Sequence, residues 1–187
     1  MLPAEIDETT ELRLFELGDA EEIFAVVDEH RGDLREWLPW VDGTLSAEDT
    51  REFLRASIEK QKAGDGFAAG FWHEGKFAGG LGLHAIDRNN LATSIGYWLA
   101  PPYRGRGYVS KACRLLLDHV FNELNLNRLV IHCAAENVRS RAIPERLGFV
   151  QEGVLRQAAK LPKGYADMVV YAMLAEEWRA TGEATFI

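Results

Sequence analysis

Polar and apolar residues alternate through Glu11-Leu12-Arg13-Leu14-Phe15-Glu16, a period of two that predicts a strand with one buried face. Gly18-Asp19 then predicts the start of a helix reaching about His30, and Leu34 to Trp40 forms a short aromatic segment ended by Pro39. Ser46, with Asp49 at the third helical position, makes a capping-box-like start for a second helix running to Gly64. Phe67 to Trp72 and Phe77 to Ile86 read as strands joined by a hairpin at His73-Glu74-Gly75-Lys76, and Leu91 to Leu99 completes an antiparallel meander. An amphipathic helix from about Ser110 to Glu123 separates this last strand from Arg128 to Ala134. A strand-helix-strand crossover joins parallel neighbours, so these two strands are expected to run in parallel. A short helix over Asn137 to Leu147, stopped by Gly148, precedes strands at Phe149 to Gln157 and Ala166 to Leu174 and a helical tail at Ala175 to Ala180. The expected architecture is α/β, a mixed sheet with helices on both faces. With no repeat, low-complexity stretch or linker, residues 1–187 are expected to form one domain with a core at about 10–178.

Between the Ile95-Gly96-Tyr97-Trp98-Leu99 strand and the long helix lies Tyr103-Arg104-Gly105-Arg106-Gly107-Tyr108-Val109. Two glycines one residue apart let the backbone turn through positive φ and array successive N–H groups in a concave cradle. The adjacent helix N-terminus adds unpaired donors and a positive dipole end. Arg104 and Arg106 bracket the glycines with guanidinium groups suited to phosphate oxygens, so backbone and side chains favour the same ligand charge, that of a pyrophosphate.

The pattern Arg/Gln-x-x-Gly-x-Gly/Ala between a strand and a long helix, supplied here by Arg104, Gly107 and Val109, resembles the acetyl-CoA signature of the GNAT superfamily of N-acetyltransferases. Val109 departs from the small residue usual at the last position. A second block, Asn137 to Gly153, resembles the Asn-x-x-Ser helix followed by Leu-Gly-Phe and Glu-Gly in the branch that acetylates the N-termini of ribosomal proteins. Leu34-Arg35-Glu36-Trp37-Leu38, Ile95 to Leu99 and Asp167-Met168-Val169-Val170-Tyr171 extend the likeness to roughly residues 10–178. The resemblance implies the GNAT acyl-CoA N-acyltransferase fold, a mostly antiparallel sheet in which one parallel strand pair splays apart. It implies acetyl-CoA as donor, CoA as product, and an amine as acceptor.

It also assigns roles. Backbone groups of Trp98, Leu99 and Ala100 are expected along the pantetheine arm, with an N–H near Leu99 donating to the thioester oxygen. Arg104, Gly105, Arg106, Gly107, Tyr108 and Val109 are expected at the pyrophosphate. Asn137 is expected to reach the pantetheine arm, a role compatible with helix N-capping. Ser140 matches the residue that touches the CoA sulfur and donates a proton to the leaving thiolate. Ile143-Pro144-Glu145 leaves no tyrosine where many members place their acid, and Ala158-Ala159-Lys160 stands where some members of this branch carry a glutamate base. His84 and Asp87 are alternatives for a water-relayed base. An α-amine loses its proton more readily than a lysine, at about 7.7–8.0 against about 10.4, so a site without a strong base leans toward N-terminal amines. Trp37-Leu38-Pro39-Trp40 stands where the branch builds its acceptor wall. A ribosomal or similar protein N-terminus is the acceptor this reading prefers. A small amine (a polyamine, amino acid or antibiotic) and a CoA-binding sensor without turnover are the rivals, and a homodimer is left open.

Composition trims the alternatives. Charged residues are 27% and apolar residues 47% of the 187, and no apolar run has membrane-spanning length. The N-terminus has no basic and apolar leader pattern, so a cytoplasmic location is expected. A net charge of -8 argues against broad nucleic-acid binding and suits a cationic acceptor. Cys113 and Cys133 have no metal-ligand spacing and read as buried small hydrophobes, and no metal is expected. Two glycine-rich stretches mislead. Gly70 to Phe77 imitates a nucleotide phosphate loop but falls on a hairpin, and Gly80 to Ala85 imitates a dinucleotide fingerprint but lies inside a strand.

Overall fold

The computed structural model describes residues 2–182. Its eight strands form one sheet in the order β1-β2-β3-β4-β5-β6-β8-β7. They are β1 (Ala4–Asp7), β2 (Thr10–Leu14), β3 (Phe67–His73), β4 (Lys76–Leu83), β5 (Ala92–Leu99), β6 (Arg128–Ala134), β7 (Val150–Leu161) and β8 (Gly164–Leu174). Every neighbouring pair is antiparallel except β5 and β6, as the crossover between them requires. The helices are α1 (Ala20–Glu29), α2 (Arg31–Leu34), α3 (Ala47–Lys62), α4 (Tyr108–Asp118), α5 (Val138–Arg146) and α6 (Ala175–Ala180).

Side-chain alternation divides the core. In β3 and β4, Phe71 and Ala78 belong to one buried cluster while their neighbours Trp72 and Phe77 belong to another. The first cluster takes in Cys113, Leu116 and Leu117 of α4, together with Leu129 and Ile131 of β6; the second takes in Ile23 and Val27 of α1 and Leu54 of α3. Helices therefore cover both faces. Both cysteines are free and buried.

Boundaries differ from the sequence expectation where tertiary pairing outweighs local pattern. β1 pairs with β2 and had no alternation long enough to reveal it. The segment expected as Phe77 to Ile86 ends as a strand at Leu83; the Ile86 N–H donates to the Asp65 carboxylate at 2.9 Å instead of to a strand, and Asp87 caps the turn that follows through the N–H groups of Asn89 and Asn90. The helix expected from Ser110 begins at Tyr108, and residues His119–Glu123 continue it in a wider π turn. β7 runs on past Gln157 to Leu161, paired with the start of β8 at Gly164, so the two strands form an arm that overhangs the last β6 partner, Met168. Glycine is mandatory at Gly79, whose φ is 152° and where a Cβ would lie 2.3 Å from the Trp98 carbonyl oxygen.

Candidate active site

Parallel pairing of β5 with β6 ends at Ile95 opposite Ile131. Beyond it β5 stays with β4 through Leu99, while β6 stays with β8. A gap opens between the two. The Ala100 N–H donates to the Ala78 carbonyl at 2.9 Å, so even-numbered residues of this stretch, Trp98 among them, turn their backbone groups toward β4. Alternation turns those of Tyr97 and Leu99 into the gap. Of the three backbone positions expected on the pantetheine arm, Leu99 is thus the one aimed at the opening. Its carbonyl accepts from Arg104 Nε at 3.0 Å, which leaves the N–H as its group for a ligand.

The gap is the deep end of an open cleft of about 1070 Å³. Trp98, Leu99, Arg104, Gly105, Gly107, Tyr108, Val109, Asn137 and Ser140 line it, so most of the expected site residues converge there from β5, α4 and α5. Ala100 and Arg106 are not among its lining residues. Gly105 and Gly107 hold φ of 79° and 82°, conformations that cost L side chains. Gly107 is the N-cap of α4, so the following N–H groups are free of intrahelical partners and face the cleft. Val109 is 7% exposed and packs in the core, so its extra bulk goes inward rather than over those donors.

Asn137 caps α5 by accepting the Ser140 N–H at 3.1 Å on Oδ1, which leaves its amide N–H₂ to the cleft it lines. The Ser140 hydroxyl is 3.3 Å from Cys133 Sγ, and the Ser140 carbonyl accepts from Tyr97 OH at 3.0 Å. Burial holds the Tyr97 phenol far above its ordinary value, so it stays a donor, and burial likewise pushes the Cys133 thiol up. Arg141 and Glu145 brace the same helix: Arg141 Nε donates to Tyr171 OH at 2.9 Å, and Tyr171 OH donates to Glu145 at 2.6 Å. Tyr97 and this brace escaped sequence reasoning, because each acts across 26 or more residues of chain.

Asp87 is occupied by its turn. Hydrogen bonds from the Asn90 side chain and backbone hold its carboxyl below the ordinary range. His84 bonds Ser94 Oγ through Nδ1 at 2.9 Å, and its ring stands over Gly96, 3.3 Å from where a Cβ would be. Burial, with Lys60 and His132 nearby, lowers its pKa, so the imidazole is a neutral base at physiological pH. Ala158, Ala159 and Lys160 lie on the exposed arm of β7. The Gly70 to Phe77 stretch is the β3–β4 hairpin, and its turn residues Glu74 and Gly75 both have positive φ, as a type I′ turn requires.

Asp33 of α2, Glu36, Trp37 and Leu38 after it, and Glu136 before α5 complete the cleft lining. Asp33 lies 3.8 Å from the Arg104 guanidinium, at the cradle. Lys163, at the tip of the β7–β8 arm, pairs with Glu36 and stands near Glu136, which marks the outer end of the cleft.

A splayed parallel strand pair, a glycine cradle at a helix N-terminus and an Asn-Ser helix in one cleft define an acyl-CoA-dependent transferase. Residues 10–150 match the model of the Acetyltransferase (GNAT) domain, and the chain belongs to that family of N-acetyltransferases, which use acetyl-CoA. It is 28% identical over 171 residues to the ribosomal-protein-serine acetyltransferase of Escherichia coli (strain K12), covering 91% of this chain and 96% of that one. It is 35% identical over 179 residues to YdaF of Bacillus subtilis (strain 168), provisionally named a ribosomal N-acetyltransferase, covering 95% and 98%. Among solved structures, the RimL ribosomal L7/L12 α-N-protein acetyltransferase in complex with coenzyme A superposes with a TM-score of 0.87 at 28% identity, covering 92% and 98%. The microcin C7 self-immunity acetyltransferase MccE, in complex with acetyl-CoA and AMP, does so with 0.86 at 25% identity, covering 92% and 96%. The chain is thus an acetyltransferase of the ribosomal-protein acetyltransferase type. No helix among the described residues is long and apolar enough to cross a membrane.

Proposed function

We propose that this enzyme acetylates the N-terminal α-amine of a ribosomal or similar protein. Acetyl-CoA supplies the acetyl group and the leaving thiolate. The α4 N-terminus and the glycine cradle hold the pyrophosphate, with Arg104 adding charge from the cleft wall. The Leu99 N–H donates to the thioester oxygen as negative charge grows on it, and strand pairing fixes that donor in advance. Ser140 Oγ–H hydrogen-bonds the departing sulfur, and the proton the thiolate takes up is the one the attacking nitrogen loses, so the hydroxyl is restored. Asn137 orients the pantetheine arm and, as N-cap, holds Ser140 in place. A neutral α-amine needs no carboxylate base, which fits the alanines on β7. His84 does not line the cleft, so a relay of the amine's proton to its imidazole runs through water.

The observation that carries the acceptor is the outer end of the cleft. It is open, and Glu36 and Glu136 line it with carboxylates, Glu36 shared with Lys163, a shape and charge suited to a polypeptide terminus that arrives as a cation and gives up its proton before attack. The likeness to ribosomal-protein acetyltransferases supports the same acceptor. A small-molecule acceptor is the second reading, favoured by the likeness to the MccE complex. Thiol release measured against a panel of ribosomal N-terminal peptides and of small amines decides between them. Peptide turnover with kcat/KM at least tenfold above any small amine is expected, and turnover confined to small amines overturns the proposal.

A further inference from the structure

Arg106 lies between the two positive-φ glycines, yet its guanidinium turns out of the cleft. Arg106 NH1 is 3.2 Å from His73 Nε2, NH2 donates to the Pro102 carbonyl at 3.3 Å, and the guanidinium carbon lies 5.8 Å from the centre of the Tyr103 ring. The other ring nitrogen, His73 Nδ1, meets Thr10 Oγ1 at 2.9 Å, Tyr108 OH at 3.1 Å and Thr9 Oγ1 at 3.3 Å. Tyr103 and Tyr108 also flank the imidazole, with centroids 5.6 and 5.9 Å away. A guanidinium only donates, so Nε2 must accept and the proton sits on Nδ1, shared with the hydroxyls. One imidazole thereby ties the end of β3 and the start of β2 to the cradle loop and to the first residue of α4.

We propose that His73 is a positioning residue for acetyl-CoA: by clasping Arg106 outside the cleft it holds the cradle loop in its binding conformation. This rests on reading the loop as the pyrophosphate site. Two adjacent glycine turns are entropically expensive to keep in one conformation. Tethering the residue between them confines both. Where the competent conformation is only partly populated, the apparent dissociation constant rises by the inverse of that fraction. On this account Arg106 acts as an anchor, and its removal and the removal of His73 undo the same restraint.

The test measures the dissociation constant of CoA by calorimetry, and KM for acetyl-CoA and kcat by thiol release. His73→Ala is expected to raise the CoA dissociation constant and KM about tenfold, corresponding to the loop being competent about one tenth of the time. At saturating acetyl-CoA, kcat should stay within twofold of wild type. His73→Gln places an amide oxygen near the Nε2 position and should restore most of the affinity, whereas His73→Asn, which reaches only the Nδ1 position, should not. Arg106→Ala removes the clasp from an exposed loop while the imidazole keeps its bonds to Thr10 and Tyr108, and should match His73→Ala. The double variant should be no weaker than either single one, the signature of one shared interaction. Affinity within twofold of wild type in both single variants, a fall in kcat at saturation, or multiplied effects in the double variant would each overturn the proposal. Gly107→Trp separates this from the site reading. If it leaves CoA affinity intact, the cradle itself is misplaced; if it abolishes binding while the clasp variants do nothing, only the positioning role fails.

Discussion

Single residues in this cleft carry two duties at once, and Ser140 shows how. Its N–H completes the α5 cap on Asn137, its carbonyl receives the Tyr97 phenol, and its hydroxyl remains beside Cys133 at the cleft wall. Ser140→Ala keeps the first two bonds because both are backbone. The variant is therefore expected to fold normally and bind CoA within about twofold, while kcat falls by about 10²-fold, the lower end of what a positioned proton donor contributes. Rapid-quench turnover alongside CoA calorimetry measures the two separately, and equal kcat in variant and wild type would remove Ser140 from the chemistry. Asn137 and Ser140 were readable in the chain because Asn-x-x-Ser at the head of a helix is a local pattern that the resemblance singles out. Tyr97 was not, since a tyrosine on an alternating strand looks the same whether its neighbour strand stays or diverges.

At the scale of elements, strand divergence is what creates the site, and its support lies one strand away. Close contact between β4 and β5 at Gly79 fixes the path of the Trp98–Ala100 segment, and so the direction of the Leu99 N–H. A methyl group at Gly79 would meet the Trp98 oxygen and take on a strained φ together. Gly79→Ala is expected to cost on the order of 3 kcal/mol of stability, read by urea denaturation, and to lower activity even where the fold survives. A loss under about 0.5 kcal/mol, within the range of ordinary surface substitutions, would show that β5 can shift. Element types were legible because amphipathic periods were long and caps were local. The lengths of β7 and β8 were not. Their outer halves expose nearly every side chain, so no buried face imposed a pattern, and backbone pairing alone extends the arm.

For the whole molecule, charge acts through acidity. Hydrogen bonds from the Ser46 side chain lower the carboxyl of Asp49, those from the Asn90 side chain lower that of Asp87, and the Arg128 guanidinium lowers that of Glu152. Each binds a proton less readily folded than unfolded. Their stabilisation is complete above the unfolded carboxylate values of about 3.9 to 4.3 and is lost as pH falls through the lower folded values. Melting temperature is expected to decline modestly as pH falls below about 6.5, where the unfolded chain protonates His84 and the folded one holds it neutral, and to drop further below about pH 4; a melting temperature that rises on acidification would contradict these assignments. Because all eight strands share one sheet, the melt is expected as one transition.

Sequence by itself determined the family and the donor, through a resemblance carried by the glycine loop and the Asn137 to Gly153 block, and, through alternation and caps, the order of elements apart from β1 and the short α2. The same resemblance pointed to Asn137 and Ser140. Tertiary structure alone decided which Leu99 group faces the gap, that Arg106 meets His73 rather than the cleft, and that Glu36 and Glu136 stand at the outer end. Those facts depend on where strands part and which distant side chains meet. A residue's own neighbours in the chain hold no information about that, since the energy that settles it comes from packing between segments brought together only on folding.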